Sequence, residues 1–155
     1  MKTLIVFYSR TGTTKKVAER LARELNADLE ELVDQDKRLG ALGYLKSGRE
    51  AMQKKLATIL PPQKNPTDYD LVIIGTPVWA HAMSCAIRTY LTDQKGKVSK
   101  IALFATQSGS GGETVLRQIE ELTGLVSRAK LIVTTKEAVK DGYEDKLNAF
   151  IKQLA

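Results

Sequence analysis

Tyr8-Ser9-Arg10-Thr11-Gly12-Thr13-Thr14-Lys15-Lys16 (YSRTGTTKK, 8–16) joins an apolar run, Leu4-Ile5-Val6-Phe7, to a segment of helical periodicity. Ser9, Thr11, Thr13 and Thr14 put aliphatic hydroxyls on either side of a single glycine, Gly12. A helix that starts near Thr13 leaves its first N–H groups without intrahelical partners, and its dipole adds partial positive charge there. An anion at that point receives those donors directly. Gly12 lets the backbone curl around it. Capping a helix needs one or two such hydroxyls, so this stretch reads as a site for a terminal phosphate. It lacks GxxxxGK[ST] and GxGxxG, the loops of nucleoside triphosphate and dinucleotide sites.

Outward from this junction the same strand–helix alternation continues. Short apolar runs recur at 4–8, 71–75, 101–105 and 131–135, with a more polar segment, DLEELV, at 28–33. Runs this short and apolar throughout suit strands buried on both faces of a parallel sheet. Between them the period changes. Val17, Leu21 and Leu25 mark one helix; Met52, Leu56, Ile59 and Leu60 mark a second, ended by Pro61-Pro62. Ile87, Tyr90 and Leu91 mark a third, Val115, Leu116, Ile119 and Leu122 a fourth, and Tyr143, Leu147, Phe150, Ile151 and Leu154 a fifth. The segment 34–48 reads as a long connection. Strand and helix alternate five times, which predicts one doubly wound α/β domain over residues 1–155. Ligands of such sheets bind outside the carboxyl ends of the strands. That places the chemistry on three loops: 9–14, TPVWAHAM (76–83) and TQSGSGG (106–112).

The second loop holds the only tryptophan, Trp79, between Pro77 and His81. A flat indole there is a stacking surface for a planar ligand. The third loop is made of small residues whose backbone can approach a ring edge closely. The three loops together describe a ligand with a phosphate at one end and a flat, polar-edged ring at the other, as in FMN.

Composition narrows the remaining classes. The chain carries 24 Lys and Arg against 18 Asp and Glu, a net charge of +6 spread evenly over its halves. This charge fits a solubilising surface or an acidic partner, whether a protein, a nucleotide or an anionic membrane surface; nucleic acid is not expected, because aromatics are few and not interleaved with the basic residues. One cysteine, Cys85, and one histidine, His81, make a structural metal site improbable, and no metal or catalytic side chain is expected. The lone Cys85 suits a reducing compartment, and no apolar run reaches the ~20 residues of a membrane span, so a cytoplasmic location is expected. Clustered aspartates of a receiver domain and a cysteine in the first loop are both absent.

On FYSRTGTTKKVAERLA (7–22), DLVIIGTPVWA (70–80) and FATQSGSGG (104–112) the sequence resembles the flavodoxin family along nearly its whole length. The GTPVWA segment is similar to that of flavodoxin-like relatives of NAD(P)H-dependent FMN and quinone reductases. The resemblance implies a flavodoxin-like, three-layer α/β/α domain with a five-stranded parallel sheet in the order 2-1-3-4-5 and non-covalent FMN. By position, Ser9, Arg10, Thr11, Gly12, Thr13 and Thr14 hold the phosphate. Pro77, Val78, Trp79 and Ala80 flank the isoalloxazine; Thr106, Gln107, Ser108, Gly109, Gly111 and Gly112 hold its pyrimidine edge. The implied role is electron transfer with a redox protein or a small-molecule acceptor; the alternative is an NAD(P)H-dependent FMN or quinone reductase. Carriers of this fold are usually monomers and the reductases commonly dimers, so the oligomeric state stays open. The basic charge departs from the acidic flavodoxins. Val78 to His81 contain no glycine to take φ > 0. That absence predicts resistance to the peptide turn by which one-electron flavodoxins stabilise a half-reduced flavin, and so favours two-electron chemistry. Tyr44 and Arg49 are further candidates for covering the ring or attracting an anionic cofactor.

Overall fold

The computed structural model describes residues 1–36 and 38–155. β1 (Thr3–Phe7) runs into α1 (Thr13–Leu25) and β2 (Asp28–Glu31); α2 (Gly40–Met52) then leads through a 3-10 turn at Pro66–Asp68 to β3 (Leu71–Trp79). A two-residue β4 (Ala82–Met83) precedes α3 (Cys85–Asp93), β5 (Ile101–Gln107), α4 (Gly112–Thr123), β6 (Lys130–Thr134), α5 (Thr135–Lys140) and α6 (Glu144–Leu154). The parallel strands lie in the order β2-β1-β3-β5-β6, with β4 antiparallel to the end of β3. Counting the parallel strands alone, this is the expected order 2-1-3-4-5.

Strand periodicity divides the apolar runs between two layers. Leu4, Val6, Val72, Ile74, Leu103 and Ala105 face one layer, where α3 and α4 supply Ile87, Tyr90, Val115 and Ile119. Ile5, Phe7, Leu71, Ile73, Ala102 and Phe104 face the other, where α1 and α6 supply Val17, Leu21, Leu147 and Phe150. The central strands are apolar throughout because both sides are covered. At Gly75 a Cβ would come 2.0 Å from the Phe104 ring, so β3 and β5 require glycine there.

The structure corrects the reading of 34–60. α2 begins inside the expected connection and runs four residues past its end, and Gln53–Leu60 are not helical. Ile59 instead forms an antiparallel bridge with Asp34. The reason is physical. The inward face of α2 carries Gly43, Ser47, Glu50 and Ala51, which give no apolar stripe. Its leucines point outward. Sequence periodicity assumes that the apolar face of a helix is the buried one, and α2 inverts that rule.

The second expected loop also changes character. Thr76–Trp79 continue β3, and only Ala80 and His81 turn the chain back into β4, pairing Trp79 with Ala82. Both turn residues have positive φ, 50° and 59°. A two-residue hairpin of this kind requires left-handed backbone at both positions and ordinarily uses Asn-Gly. The left-handed conformation is therefore present without glycine, which the sequence reading did not anticipate. Left-handed backbone costs a side-chain-bearing residue roughly 1–2 kcal/mol.

Two measurements follow from these features. Replacing the turn by Asn-Gly (Ala80→Asn with His81→Gly) is expected to stabilise the fold by about 1 kcal/mol in urea unfolding. Glu120 accepts hydrogen bonds from Ser127 N (2.8 Å), Ser127 Oγ (2.6 Å) and Lys130 Nζ (2.8 Å). Burial works to raise its carboxyl, but Lys130 and Ser127 outweigh it and bring the pKa from 4.5 down to about 2. Because the folded value is the lower one, this stabilisation is complete above the unfolded value and is lost as pH falls through the folded one. Glu120→Gln should flatten the urea midpoint against pH in that acid window and leave neutral pH little changed in slope.

Candidate functional site

At the carboxyl edge β1, β3 and β5 end side by side, Phe7 paired with Gly75 and Pro77 with Thr106. The cleft above them is lined from the first loop by Ser9, Arg10, Thr11, Thr13 and Thr14. Pro77, Val78 and Trp79 line it from β3, and Thr106, Gln107 and Ser108 from β5 and the turn after it. Tyr44 of α2 and Thr135 at the start of α5 complete it. No carboxylate lines this cleft, and Arg10 is its one cation among the described residues.

The first loop is built from its own hydroxyls. Gly12 caps α1 with φ 103°, and open space lies where a Cβ would be. Ser9 Oγ accepts the N–H of Gly12 (3.0 Å) and of Lys15 (3.2 Å), and so keeps its own proton free to donate. Thr14 Oγ1 is 2.7 Å from Thr106 Oγ1 in a buried hydrogen bond that ties the first loop to β5. Thr11 is exposed and Thr13 half-buried, both facing the cleft. Lys15 is turned away into an ion pair with Glu31 at 3.0 Å. Arg10 donates through Nη1 to the Arg38 carbonyl (3.1 Å), and its guanidinium lies 5.3 Å from the Tyr44 ring centre.

The third loop is held by one side chain. Gln107 donates to the Gly109 carbonyl (3.0 Å) and accepts the Gly112 N–H (2.8 Å), so its amide is occupied in shaping the turn. Gly111 has φ 102°, and a Cβ there would meet Val78 Cγ1 at 2.9 Å and the His81 ring at 3.1 Å. Gly12, Gly109, Gly111 and Gly112 thus shape the walls, whereas side chains of their neighbours line the cleft. Ala80 lines an adjoining cavity instead. That cavity, about 300 Å³, is bounded by Tyr44, Leu45, Gly48, Arg49, Met52, Trp79 and Ala80. Tyr44 and Trp79 are common to both spaces.

Trp79 differs from the expected free stacking surface. It is only 5% exposed. Tyr8 stands perpendicular to it at 5.4 Å, and the Arg38 guanidinium lies 5.2 Å from its ring centre. Arg38 is itself buried, and bonds Asp34 (2.6 Å), Glu50 (3.1 Å) and Ser47 (3.4 Å). Burial disfavours its charge, but the two carboxylates more than compensate and hold its pKa above the ordinary value. Gly43 admits this arrangement, since a Cβ there would fall 2.3 Å from the Arg38 backbone. The Tyr8 hydroxyl is pushed up to about 12, first by burial and then by Asp34. His81 is exposed; its ring lies beside Gly111 of the third loop, and its carbonyl accepts from Gln118 of α4 (3.1 Å).

Sequence reasoning missed Arg38 and Thr135. Thr135 follows the last strand at the same sheet edge, a position that the strand order alone points to. Arg38 carries no such signal, because its role depends on α2 folding back over it.

A cleft lined by N–H and O–H donors beside aromatic walls, at the carboxyl edge of a doubly wound sheet, is the arrangement of a flavodoxin-like domain. The flavodoxin family model matches residues 2–146, and the chain belongs to that family. A flavoprotein from Lactobacillus acidophilus NCFM, solved in complex with FMN, is 27% identical with a TM-score of 0.71; the match covers 92% of this chain and 98% of that one. A protein from Bacteroides eggerthii is 22% identical (TM-score 0.73, 94% and 97% covered) and is similar in fold. Rubredoxin oxygen:oxidoreductase from Desulfovibrio gigas is 18% identical with a TM-score of 0.58, over 99% of this chain and 37% of that one; it too shares the fold.

The Arg38 cluster is testable directly. Removing one partner of a buried ion pair leaves uncompensated charge and costs about 3–5 kcal/mol. Arg38→Met should lower unfolding stability by that amount, and the emission of the single tryptophan should shift even where the variant remains folded.

Proposed function

We propose that this protein holds FMN without a covalent bond and works in electron transfer. The observation that carries this reading is the donor set of the first loop. The N–H groups of Thr13 and Thr14 open α1 without protein partners among the described residues. The hydroxyls of Ser9, Thr11 and Thr13 stand around them, with no carboxylate to repel an anion. These groups would hold the phosphate. Pro77, Val78, Trp79 and Ala80 would flank the ring, with Tyr44 opposite on α2, and the backbone of 106–112 would meet its polar edge. FMN when bound supplies the redox chemistry, accepting and passing on electrons.

The protein's own part is positioning and exclusion. Arg38 fixes the plane of Trp79, the Thr14–Thr106 bond fixes the distance between the phosphate loop and β5, and Gln107 fixes the third loop. None of these groups needs to exchange a proton with a substrate. A cytoplasmic redox protein or a small molecule is the proposed electron partner. The third loop brings no aromatic residue over the ring. An open side of that kind favours, as a second reading, direct reduction by NAD(P)H and onward transfer to a quinone or free flavin.

Titration of the apoprotein with FMN, followed by flavin and Trp79 fluorescence, tests the reading. Thr13→Val is expected to weaken FMN by about 10- to 100-fold, the worth of a charge-assisted hydrogen bond. Riboflavin, which has the ring and no phosphate, should bind Thr13→Val and the parent protein alike. Equal loss for both ligands, or no FMN binding by the parent, refutes the phosphate assignment. Anaerobic addition of NADH or NADPH to the FMN-loaded protein separates the two readings: bleaching of the flavin absorbance marks a reductase, and an unchanged spectrum marks a carrier that needs a protein donor.

A further inference from the structure

α2 is amphipathic in the reverse sense. Leu42, Leu45, Arg49 and Met52 recur at intervals of three and four residues on one face. That face points to solvent: Leu42 is 83% exposed, Leu45 65% and Met52 63%. Leu39 before the helix, Tyr44 on it and Leu56 after it are more than half exposed as well. Six of the large exposed apolar side chains therefore lie within residues 39–56, whereas the others are scattered along the chain.

The charge of the same segment is one-sided. Residues 39–56 carry Lys46, Arg49, Lys54 and Lys55 against one carboxylate, Glu50. Glu50 is buried in the Arg38 cluster, so it offers no negative charge to the surface. This segment alone holds +3 of the chain's net +6. No helix of the structure, among the described residues, is long and apolar enough to cross a membrane.

We propose that α2 and the segment after it dock the protein on the surface of an anionic lipid bilayer. Leucine and methionine side chains in a stripe, flanked by long basic side chains, are the composition of a helix that lies in the bilayer interface. The aliphatic stem of Arg49 would extend along the apolar stripe while its charge reaches the lipid phosphates; Lys46 Nζ instead lies 3.9 Å from the carboxylates of Asp36 and Glu50. Attraction to anionic lipid grows with each Lys or Arg near the surface and falls with salt. A second copy of this chain fits less well, because pairing two such faces brings together the Arg49, Lys54 and Lys55 charges of both copies. An acidic protein would satisfy the charge, but a stripe this exposed needs an occupant that is apolar along its whole length. The docked face would set the cavity between Tyr44 and Met52 at the lipid surface.

The test is sedimentation of the full chain with vesicles at low ionic strength. One preparation contains phosphatidylcholine alone; the other is an equal mixture of phosphatidylcholine and phosphatidylglycerol. The protein should sediment with the anionic vesicles, remain free with the neutral ones, and be released by salt. Leu42→Glu should weaken the binding by about tenfold or more, and its melting temperature should match the parent because Leu42 supports no core contact. Lys54→Gln with Lys55→Gln should weaken binding to anionic vesicles severalfold and shift the salt needed for release. Failure to bind anionic vesicles overturns the proposal. So does unaltered binding of Leu42→Glu, which would mean adsorption by charge alone. A dimer in solution that Leu42→Glu dissociates also overturns it, by assigning the face to a second copy. Sedimentation requires no cofactor, so the outcome is independent of whether the cleft holds FMN.

Discussion

The buried guanidinium of Arg38 organises one whole side of the molecule. It joins Asp34, after β2, to Glu50 and Ser47 on α2, and it lies against Trp79 at the end of β3. Its carbonyl also receives Arg10 from the first loop. Segments distant in sequence thus meet on one residue. A charge removed from water is tolerable only when its partners are fixed in place. The cluster therefore specifies geometry more than it adds stability. Trp79 and Tyr44 owe their places to it, and through them so do the walls of the cleft.

The other side of the cleft is held by ordinary means. Apolar stripes on α1 and α6 cover one layer, and the central strands bring three loop ends to one edge. The first loop is then fixed by local chemistry: Ser9 accepts the N–H groups of Gly12 and Lys15, and Thr14 reaches Thr106. Two kinds of order meet at the site, a hydrophobic one beneath and a polar one beside it. The proposed ligand has the same division, a phosphate for the polar loop and a ring for the aromatic walls.

Most of the sheet was legible in the sequence, because strands covered on both faces are uniformly apolar and need no partner to be recognised. The first loop was legible as a cluster of donors at the start of α1 for a similar reason: its hydroxyls and glycine act locally. The helix over 40–52 was not. Its inward residues, Gly43, Ser47, Glu50 and Ala51, make sense only once Arg38 crosses beneath them. The turn at Ala80-His81 was hidden too, since neither residue advertises left-handed backbone. The tryptophan was recognised as part of the site but not as a buried residue, because its burial depends on that same guanidinium. For the helix and the tryptophan the missing information was a long-range polar contact, which leaves no periodic trace; for the turn it was a backbone conformation that its residues do not favour.

The way α2 is attached has a kinetic side. α1, α4 and α6 adhere to the sheet through continuous apolar stripes, but α2 adds only Ala51 to the hydrophobic core. A segment held by a few polar links can detach while the rest of the domain stays intact. Its backbone amides would then exchange with solvent by a local opening of low free energy, well before the sheet's. Tyr44 travels with that segment. The residence time of whatever lies beneath Tyr44 is then bounded by the breathing of one helix, a clock set by the Arg38 cluster and separate from the ligand's own affinity.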